Sequence, residues 1–127
     1  MVQPKRVLIT GGTGFLGKHL ALAMKNAHAV VLAGRNNKQN MLAQERTGCA
    51  VLPLDVSRPE SVRDVFIESR PDIVIHAAAT KFVDLAEQQP LECTDVNVLG
   101  SENVARVAME HGVETVIGIS TDKAAPP

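Results

Sequence analysis

TGGTGFLG, at residues 10–17, is the segment that indicates the fold of this chain most clearly. Its glycines Gly11, Gly14 and Gly17 follow a β-branched run and open an amphipathic pattern, so they stand in a strand–turn–helix context. The first glycine permits a tight turn, the second lets a pyrophosphate approach the backbone, and the helix N-terminus offers unpaired N–H groups. The segment predicts a phosphate-binding turn for a dinucleotide, with a purely structural glycine turn as the alternative.

Five short apolar runs alternate with helical patterns along the chain. The runs are nearly continuous, which is typical of strands buried on both faces of a parallel sheet. They cover residues 6–10, 29–33, 50–54, 72–76 and 115–119. Because crossovers between parallel strands are right-handed, the resulting βαβαβαβαβ pattern predicts a doubly wound α/β sheet with strand order 3-2-1-4-5. This is a Rossmann-type fold, truncated after the fifth strand.

Helical spacing and boundary signals support this organisation. Residues 57–60, SRPE, have the form of a capping box with a proline in the first turn, and Gly112 stands where a C-terminal cap is expected. The residues that recur at helical spacing are Leu16, Leu20, Ala23, Met24 and Ala27, then Val62, Val65 and Phe66, then Gly100, Val104, Val107, Ala108 and His111.

Length and composition limit the chain to one compact domain or part of one. Its 127 residues suffice for one core, but not for a cofactor domain and a separate substrate domain. A hydrophobic fraction of 45% and a net charge of -1 argue against disorder and against a nucleic-acid partner. The apolar run near the N-terminus is too short for a signal peptide or a membrane span, so we expect a soluble, cytoplasmic protein.

The fifth apolar run lies close to the end of the sequence, with no helical pattern after it. An uncovered apolar sheet edge is a feature that natural domains avoid. We therefore expect residues 1–127 to be the N-terminal part of a cofactor-binding domain that continues past Pro127 in the parent protein, unless a partner covers this edge.

Few side chains outside the glycine-rich segment suggest chemistry by themselves. Cys49 and Cys93 have neither CxxC spacing nor a nearby histidine, so we expect reduced, mostly buried thiols and no metal site. His76, at the end of the fourth run, is interpreted as a hydrogen-bonded histidine packed beneath the cofactor turn rather than as a catalytic base. The sequence contains no tyrosine, so it supplies no phenolic acid or base.

The end of the second strand bears on the choice of cofactor. An acidic residue there would hold the adenosine 2′-hydroxyl of NAD, whereas residues 34–38, GRNNK, are neutral to basic. Arg35 can stack on adenine and bind a 2′-phosphate bidentately, and Lys38 supplies a second charge. We predict NADP as the cofactor; a solvated arginine is the alternative.

Several of these segments resemble the extended short-chain dehydrogenase/reductase superfamily. The resemblance rests on the glycine spacing, on Asp55-Val56, on HAAA at residues 76–79 and on NVLGS at residues 97–101. In such proteins the aspartate meets the adenine, the alanine-rich turn lies against the cofactor, and the asparagine helps to order the active site. Lys81 follows the alanine turn and is expected to reach the ribose or the substrate, with a solvated lysine as the alternative.

The resemblance, together with the basic residues, implies a set of cofactor-binding positions. These are Gly11, Thr13, Gly14, Phe15, Leu16, Gly17, Arg35, Asn36, Lys38, Asp55, Val56, Ala77, Ala78, Ala79, Lys81, Asn97 and Ser120.

STDKA, at residues 120–124, narrows the resemblance. With residues 77–83 and 87–93 it is similar to the polysaccharide-biosynthesis nucleotide-sugar 4,6-dehydratases that act on UDP-N-acetylglucosamine. Such enzymes oxidise C4 of the sugar by hydride transfer, eliminate water across C5 and C6, and return the hydride to C6. By resemblance, Asp122 and Lys123 handle the C5 proton and the C6 hydroxyl, while Thr121 hydrogen-bonds near the C4 oxygen. A surface Asp-Lys turn that caps a following helix is the alternative.

The resemblance also implies parts that this sequence does not contain. The family's Tyr-x-x-x-Lys or Met-x-x-x-Lys, and its substrate-binding region, are expected after Pro127, so we expect the chain alone to be inactive. The leading hypothesis is an NADP-dependent nucleotide-sugar 4,6-dehydratase with a UDP-sugar substrate, homo-oligomeric at full length. An epimerase or reductase on the same scaffold and a non-catalytic NADP-binding module are the alternatives.

Overall fold

One parallel sheet organises the chain in the computed structural model, which describes residues 3–77 and 90–119, with the backbone alone for residues 90–99. The strands run in the order β3-β2-β1-β4-β5, and every neighbouring pair is parallel. The predicted Rossmann-type order is confirmed. The strands are β1 (Arg6–Thr10), β2 (Ala29–Gly34), β3 (Ala50–Pro53), β4 (Ile73–His76) and β5 (Thr115–Gly118).

Helices cover both faces of the sheet. Alternate side chains of β1 point to opposite faces, as the pleat of a strand requires. Leu8 lies in a core with residues of the third and fourth helices, whereas Val7 and Ile9 lie in a second core with Ala21 and Ala43 of the first two helices. In the described part of the chain the helices are α1 (Phe15–Met24), α2 (Asn37–Thr47), α3 (Pro59–Ser69) and α4 (Pro90–Glu110).

Burial of the strands is uneven across the sheet. Residues 7–10 of β1 are fully buried, as expected for a strand covered on both faces. In β5 all four residues are exposed, including Val116 at 43% and Ile117 at 46%. The expectation of burial on both faces is therefore wrong for β5, because none of its residues belongs to either of the core clusters that the described helices form with the sheet. The uncovered apolar edge itself was expected.

The helix boundaries confirm some signals and correct others. Gly112 follows α4 with a φ of 66°, as a C-terminal cap requires. Pro59 is the first residue of α3, but the residue before the helix is Arg58 and no side chain caps it. The predicted capping box is wrong, because the Ser57 hydroxyl donates to the Asp55 carboxylate instead.

The apolar stripe predicted for α1 is only partly buried. Leu20 and Met24 pack against the core, whereas Ala23 is exposed and Ala27 lies beyond the end of the helix. The fully buried positions of α1 are Gly17 and Ala21. No helix within residues 3–77 and 90–119 combines the length and the apolar character that crossing a membrane requires.

Candidate cofactor site

The glycine-rich turn lies at the carboxyl end of β1, between the ends of β2 and β4. Gly11 has a φ of 69°, a left-handed conformation that favours glycine, so the tight turn expected at this position is confirmed. The Gly12 N–H donates to the Ala33 carbonyl at 3.1 Å, and the Ala77 N–H donates to the Thr10 carbonyl at 2.9 Å. The turn is therefore held by both neighbouring strands.

The N-terminus of α1 is open toward an anion. Gly14 precedes the helix in an extended conformation, no side chain caps the first turn, and that turn contains no acidic residue. Backbone N–H groups in the first turn of a helix have no partner within the helix, and the helix dipole gives them a partial positive charge. The arrangement fits a pyrophosphate group. Phe15, the first residue of α1 and a predicted cofactor-binding residue, is 74% exposed.

Close packing around the turn requires glycine at Gly17 and at two further positions, Gly12 and Gly34, that the sequence did not indicate as part of the site. A Cβ atom at Gly17 would overlap the backbone of Gly12, and one at Gly12 would lie 2.7 Å from the Ile9 carbonyl oxygen. A Cβ at Gly34, the last residue of β2, would overlap the hydroxyl of Thr13. The Thr13 side chain is therefore buried against the end of β2, although Thr13 was predicted at the cofactor.

A groove of about 490 Å³ opens at the carboxyl ends of β2 and β3, on the β3 side of the strand that carries the turn. It brings together Arg35 and Asp55, two predicted cofactor-binding residues that are far apart in the sequence. Polar side chains from the start of α3 complete its wall. The groove is lined by Arg35, Pro53, Leu54, Asp55, Arg58, Glu60, Ser61 and Asp64.

The Asp55 carboxylate is held by local hydrogen bonds. Oδ1 accepts from the Ser57 hydroxyl at 2.6 Å and from the Ser57 N–H at 3.0 Å, while the Asp55 N–H donates to Ser61 Oγ. The bond from the Ser57 hydroxyl lowers the pKa of Asp55 below its ordinary value, with smaller contributions from the nearby charges of Arg35 and Arg58. Asp55 therefore faces the groove as an ionised, positioned carboxylate.

Val56, also predicted at the cofactor, directs its side chain elsewhere. It packs against α4, where a Cβ at Gly100 would lie only 2.8 Å from Val56 Cγ2. The Val56 carbonyl accepts a 2.8 Å hydrogen bond from the amide Nδ2 of Asn103, a residue that is only 2% exposed. Sequence reasoning missed Asn103, although its position three residues after Gly100 falls on the predicted apolar stripe of this helix.

The end of β2 presents basic side chains at the start of α2. Arg35 and Lys38 are exposed, and the first turn of α2 contains no acidic residue. Asn36, another predicted cofactor residue, has a structural role here, because its side-chain oxygen caps the helix by accepting from the Gln39 N–H at 3.0 Å. The start of α2 is therefore positively charged and only partly capped.

His76 lies beneath the turn, as the sequence indicated. Its Nδ1 is 2.6 Å from the hydroxyl of Thr10, its partner across the β1–β4 pair. Burial lowers the pKa of His76 below its ordinary value, which favours the neutral imidazole. The interpretation as a hydrogen-bonded histidine is confirmed.

Some predicted residues lie outside the described part of the chain. Asn97 belongs to α4, but its side chain is not among the described ones. The predicted residues outside are Ala78, Ala79, Lys81, Ser120, Thr121, Asp122 and Lys123.

Cys49 is a free, buried thiol as expected, and within the described ranges no three His, Cys, Asp or Glu side chains form a group that could hold a metal ion.

Comparison with known proteins identifies the family. The family described as "Polysaccharide biosynthesis protein" matches residues 7–127. A UDP-N-acetylglucosamine 4,6-dehydratase (inverting) from Campylobacter jejuni is 36% identical over 100% of this chain and 39% of its own length. A UDP-glucose 4-epimerase from Neisseria meningitidis is 34% identical over 89% of this chain and 35% of its own length.

A solved structure agrees with these matches. The UDP-glucose 4-epimerase of Thermus thermophilus in complex with NAD superposes with a TM-score of 0.77 at 30% identity, covering 87% of this chain and 36% of that one. The chain spans between 35% and 39% of the length of these three proteins. The resemblance to polysaccharide-biosynthesis nucleotide-sugar dehydratases is confirmed, and the chain belongs to the polysaccharide biosynthesis protein family.

Proposed function

We propose that this chain is the cofactor-binding part of an NADP-dependent UDP-N-acetylglucosamine 4,6-dehydratase. The observation that carries the proposal is the uncapped N-terminus of α1, which opens directly from the glycine turn at the end of the central strand. A crevice at the carboxyl ends of the strands is where doubly wound sheets bind their ligands. When bound, NADP supplies the hydride chemistry, and the residues of this chain hold and orient it.

The charges around the adenosine side support NADP over NAD. Lys38 lies in the first turn of α2, where the helix dipole disfavours a cation, and a phosphate dianion between Lys38 and Arg35 would offset that repulsion. Three carboxylates of the groove, Asp55, Glu60 and Asp64, oppose a second negative charge there, although the charge of Glu60 is offset by its pair with Arg58 at 3.0 Å. The epimerase of Thermus thermophilus is in complex with NAD, which makes NAD the alternative.

Calorimetric titration with NADP and with NAD tests the cofactor. We expect tighter binding of NADP, and we expect Arg35→Ala to weaken it by about 1.5–3 kcal/mol, or roughly ten- to a hundredfold, as for a charged hydrogen bond. Arg46→Ala is the matched control, since it removes the same charge from the exposed last turn of α2. A preference for NAD that persists in Arg35→Ala would reject the NADP assignment.

The dehydratase activity is supported by relatives and by three residues after β5. The dehydratase of Campylobacter jejuni matches along the whole chain, and STDKA places Thr121, Asp122 and Lys123 directly after the fifth strand. Elimination of water needs one group to remove the C5 proton and another to protonate the departing C6 hydroxyl. A carboxylate and an ammonium group are suited to these two tasks. An epimerase is the second candidate, because an epimerase matches at 34% identity.

The reaction is tested in the complete protein with UDP-N-acetylglucosamine in deuterated water. We expect deuterium at C5 of the product. Asp122→Asn and Lys123→Ala should lower the elimination rate by about 10²–10⁴, while NADP binding is kept. Epimerisation at C4 without exchange at C5 would favour the second candidate.

The cytoplasmic location and the homo-oligomer expected from the sequence stay predictions.

A further inference from the structure

Helix α4 holds the loop after β3 from the side opposite the groove. The Asn103 amide donates to the Val56 carbonyl at 2.8 Å, and the absence of a side chain at Gly100 lets the helix approach Val56 closely. Asn103 is 2% exposed, so it does not itself face the groove. Its neighbour on the same helix, Val104, lies in the hydrophobic core.

The same loop carries Asp55 on its other side. Asp55 lines the groove, and its hydrogen bonds to Ser57 and Ser61 tie the loop to the start of α3. Asn103 is thus the hydrogen-bonded link from α4 to a loop that α3 already anchors. Because Asp55 and Val56 are consecutive, a shift of the Val56 peptide would move the Asp55 carboxylate relative to Arg35.

The geometry points to Asn103 as a positioning residue for the adenosine half of the cofactor. This inference rests on the proposed function and adds a determinant that touches neither ligand nor solvent. Loss of the amide would leave the Val56 carbonyl without the donor that it has in this partly buried hydrogen bond, and an unpaired carbonyl favours a rearrangement of the loop toward water. A purely structural residue would instead lower stability and leave cofactor affinity unchanged.

The test compares Asn103→Leu with Val107→Ala. Leucine has a similar size to asparagine but no hydrogen-bond donor. Val107 is a fully buried core residue of the same helix, and in the described part of the chain its side chain forms no hydrogen bond to the loop. Both variants should be less stable. We expect only Asn103→Leu to weaken NADP binding, by about tenfold, the effect of losing roughly 1.4 kcal/mol of positioning.

Amide NMR shifts during the NADP titration locate the effect. In Asn103→Leu the ligand-induced shifts of residues 55–57 should shrink, while those of residues 11–14 at the glycine turn persist. Equal NADP affinity in Asn103→Leu and the wild type would overturn the inference, as would an equal loss in Val107→Ala. A wild-type chain that binds neither NADP nor NAD would overturn the proposed function and the inference with it.

Discussion

The two edges of the sheet carry grooves of nearly equal size that are built differently. The groove at the carboxyl edge has a volume of about 490 Å³ and lies at the ends of β2 and β3, while the uncapped start of α1 follows the neighbouring strand β1. The groove at the amino edge, about 460 Å³, lies where α3 and α4 end, and its lining includes Arg6, Arg70, Asp72 and His111. Both contain two arginines, but the carboxyl-edge groove also contains the three carboxylates of Asp55, Glu60 and Asp64, whereas the amino-edge groove contains only that of Asp72.

The two edges also differ in how their polar groups are hydrogen-bonded. At the amino edge, the Arg6 N–H and guanidinium both bond to the Asp72 carboxylate, at 2.9 and 3.4 Å, and Lys5 pairs with Glu114 at 3.1 Å. Exposed pairs of this kind contribute little to stability. At the carboxyl edge the backbone N–H groups of α1 have no side-chain cap. The comparison supports the proposed division, in which the carboxyl edge binds the cofactor and the amino edge serves the packing of the fold.

Gly14→Val should have the largest effect on binding. The φ of -80° and ψ of -178° at Gly14 are accessible to valine, so we expect a normal circular dichroism spectrum. The added side chain would fill the space where the pyrophosphate meets the helix, and cofactor binding should be lost. Ala23→Val, on the exposed face of the same helix, is the control and should bind normally. Normal binding by Gly14→Val would place the phosphates elsewhere.

Gly17→Ala and Gly112→Ala separate the two edges through stability. At Gly17 the new Cβ would collide with the backbone of Gly12, an overpacking cost of about 2–4 kcal/mol. At Gly112 there is open space, so only the left-handed φ of 66° matters, at about 1 kcal/mol. Urea unfolding measures both. Similar losses for the two variants would contradict the close packing of the turn.

The order of the strands was predictable because few topologies satisfy a run of buried strands joined by right-handed crossovers. Helix α2 was implied only by this alternation, since no apolar stripe marks it. Its buried residues are Asn40, Ala43 and Thr47, of which only Ala43 is apolar. The Asn40 amide donates to the Gly34 carbonyl at the end of β2, so a hydrogen bond that no periodicity reveals positions the helix, while the Thr47 hydroxyl donates within the helix to the Ala43 carbonyl.

The candidate site was predictable where its function is local in the chain. The tight turn at Gly11 and the basic end of β2 at Arg35 are features of consecutive residues. Gly12, Gly34 and Asn103 were missed because each acts through a residue that only the folded topology brings near, such as Thr13 for Gly34 and Val56 for Asn103. Contacts between different elements are absent from a single sequence.

We expect His76, at the carboxyl end of β4, to make the stability of the fold depend on pH. Burial lowers its folded-state pKa from 6.5, so the unfolded chain binds more protons once the pH falls below that value. The contribution to stability is present above pH 6.5 and is lost as the pH falls toward the folded-state pKa. Thermal unfolding between pH 7.5 and about 5 should show this loss, and His76→Gln should reduce it.

Arg70→Gly tests whether the amino edge holds strain without function, and its effect should be the smallest. Arg70 follows α3 with a φ of 45°, the one left-handed residue other than glycine among the described residues. Gly48 follows α2 in the same conformation, with a φ of 72°. Because a Cβ in this conformation costs about 1–2 kcal/mol and glycine loses about 0.5–1 kcal/mol more backbone entropy on folding, the net gain should be up to about 1 kcal/mol. That gain corresponds to a rise in melting temperature of roughly 2–5 °C for a chain of this size.

The reciprocal variant Gly48→Arg should lower stability by a similar amount, since the space around Gly48 is open and only the backbone conformation opposes a side chain. NADP affinity should stay unchanged in both variants. A loss of affinity in Arg70→Gly would show that the amino-edge groove communicates with the cofactor site, and the division between a stabilising edge and a binding edge would then be wrong.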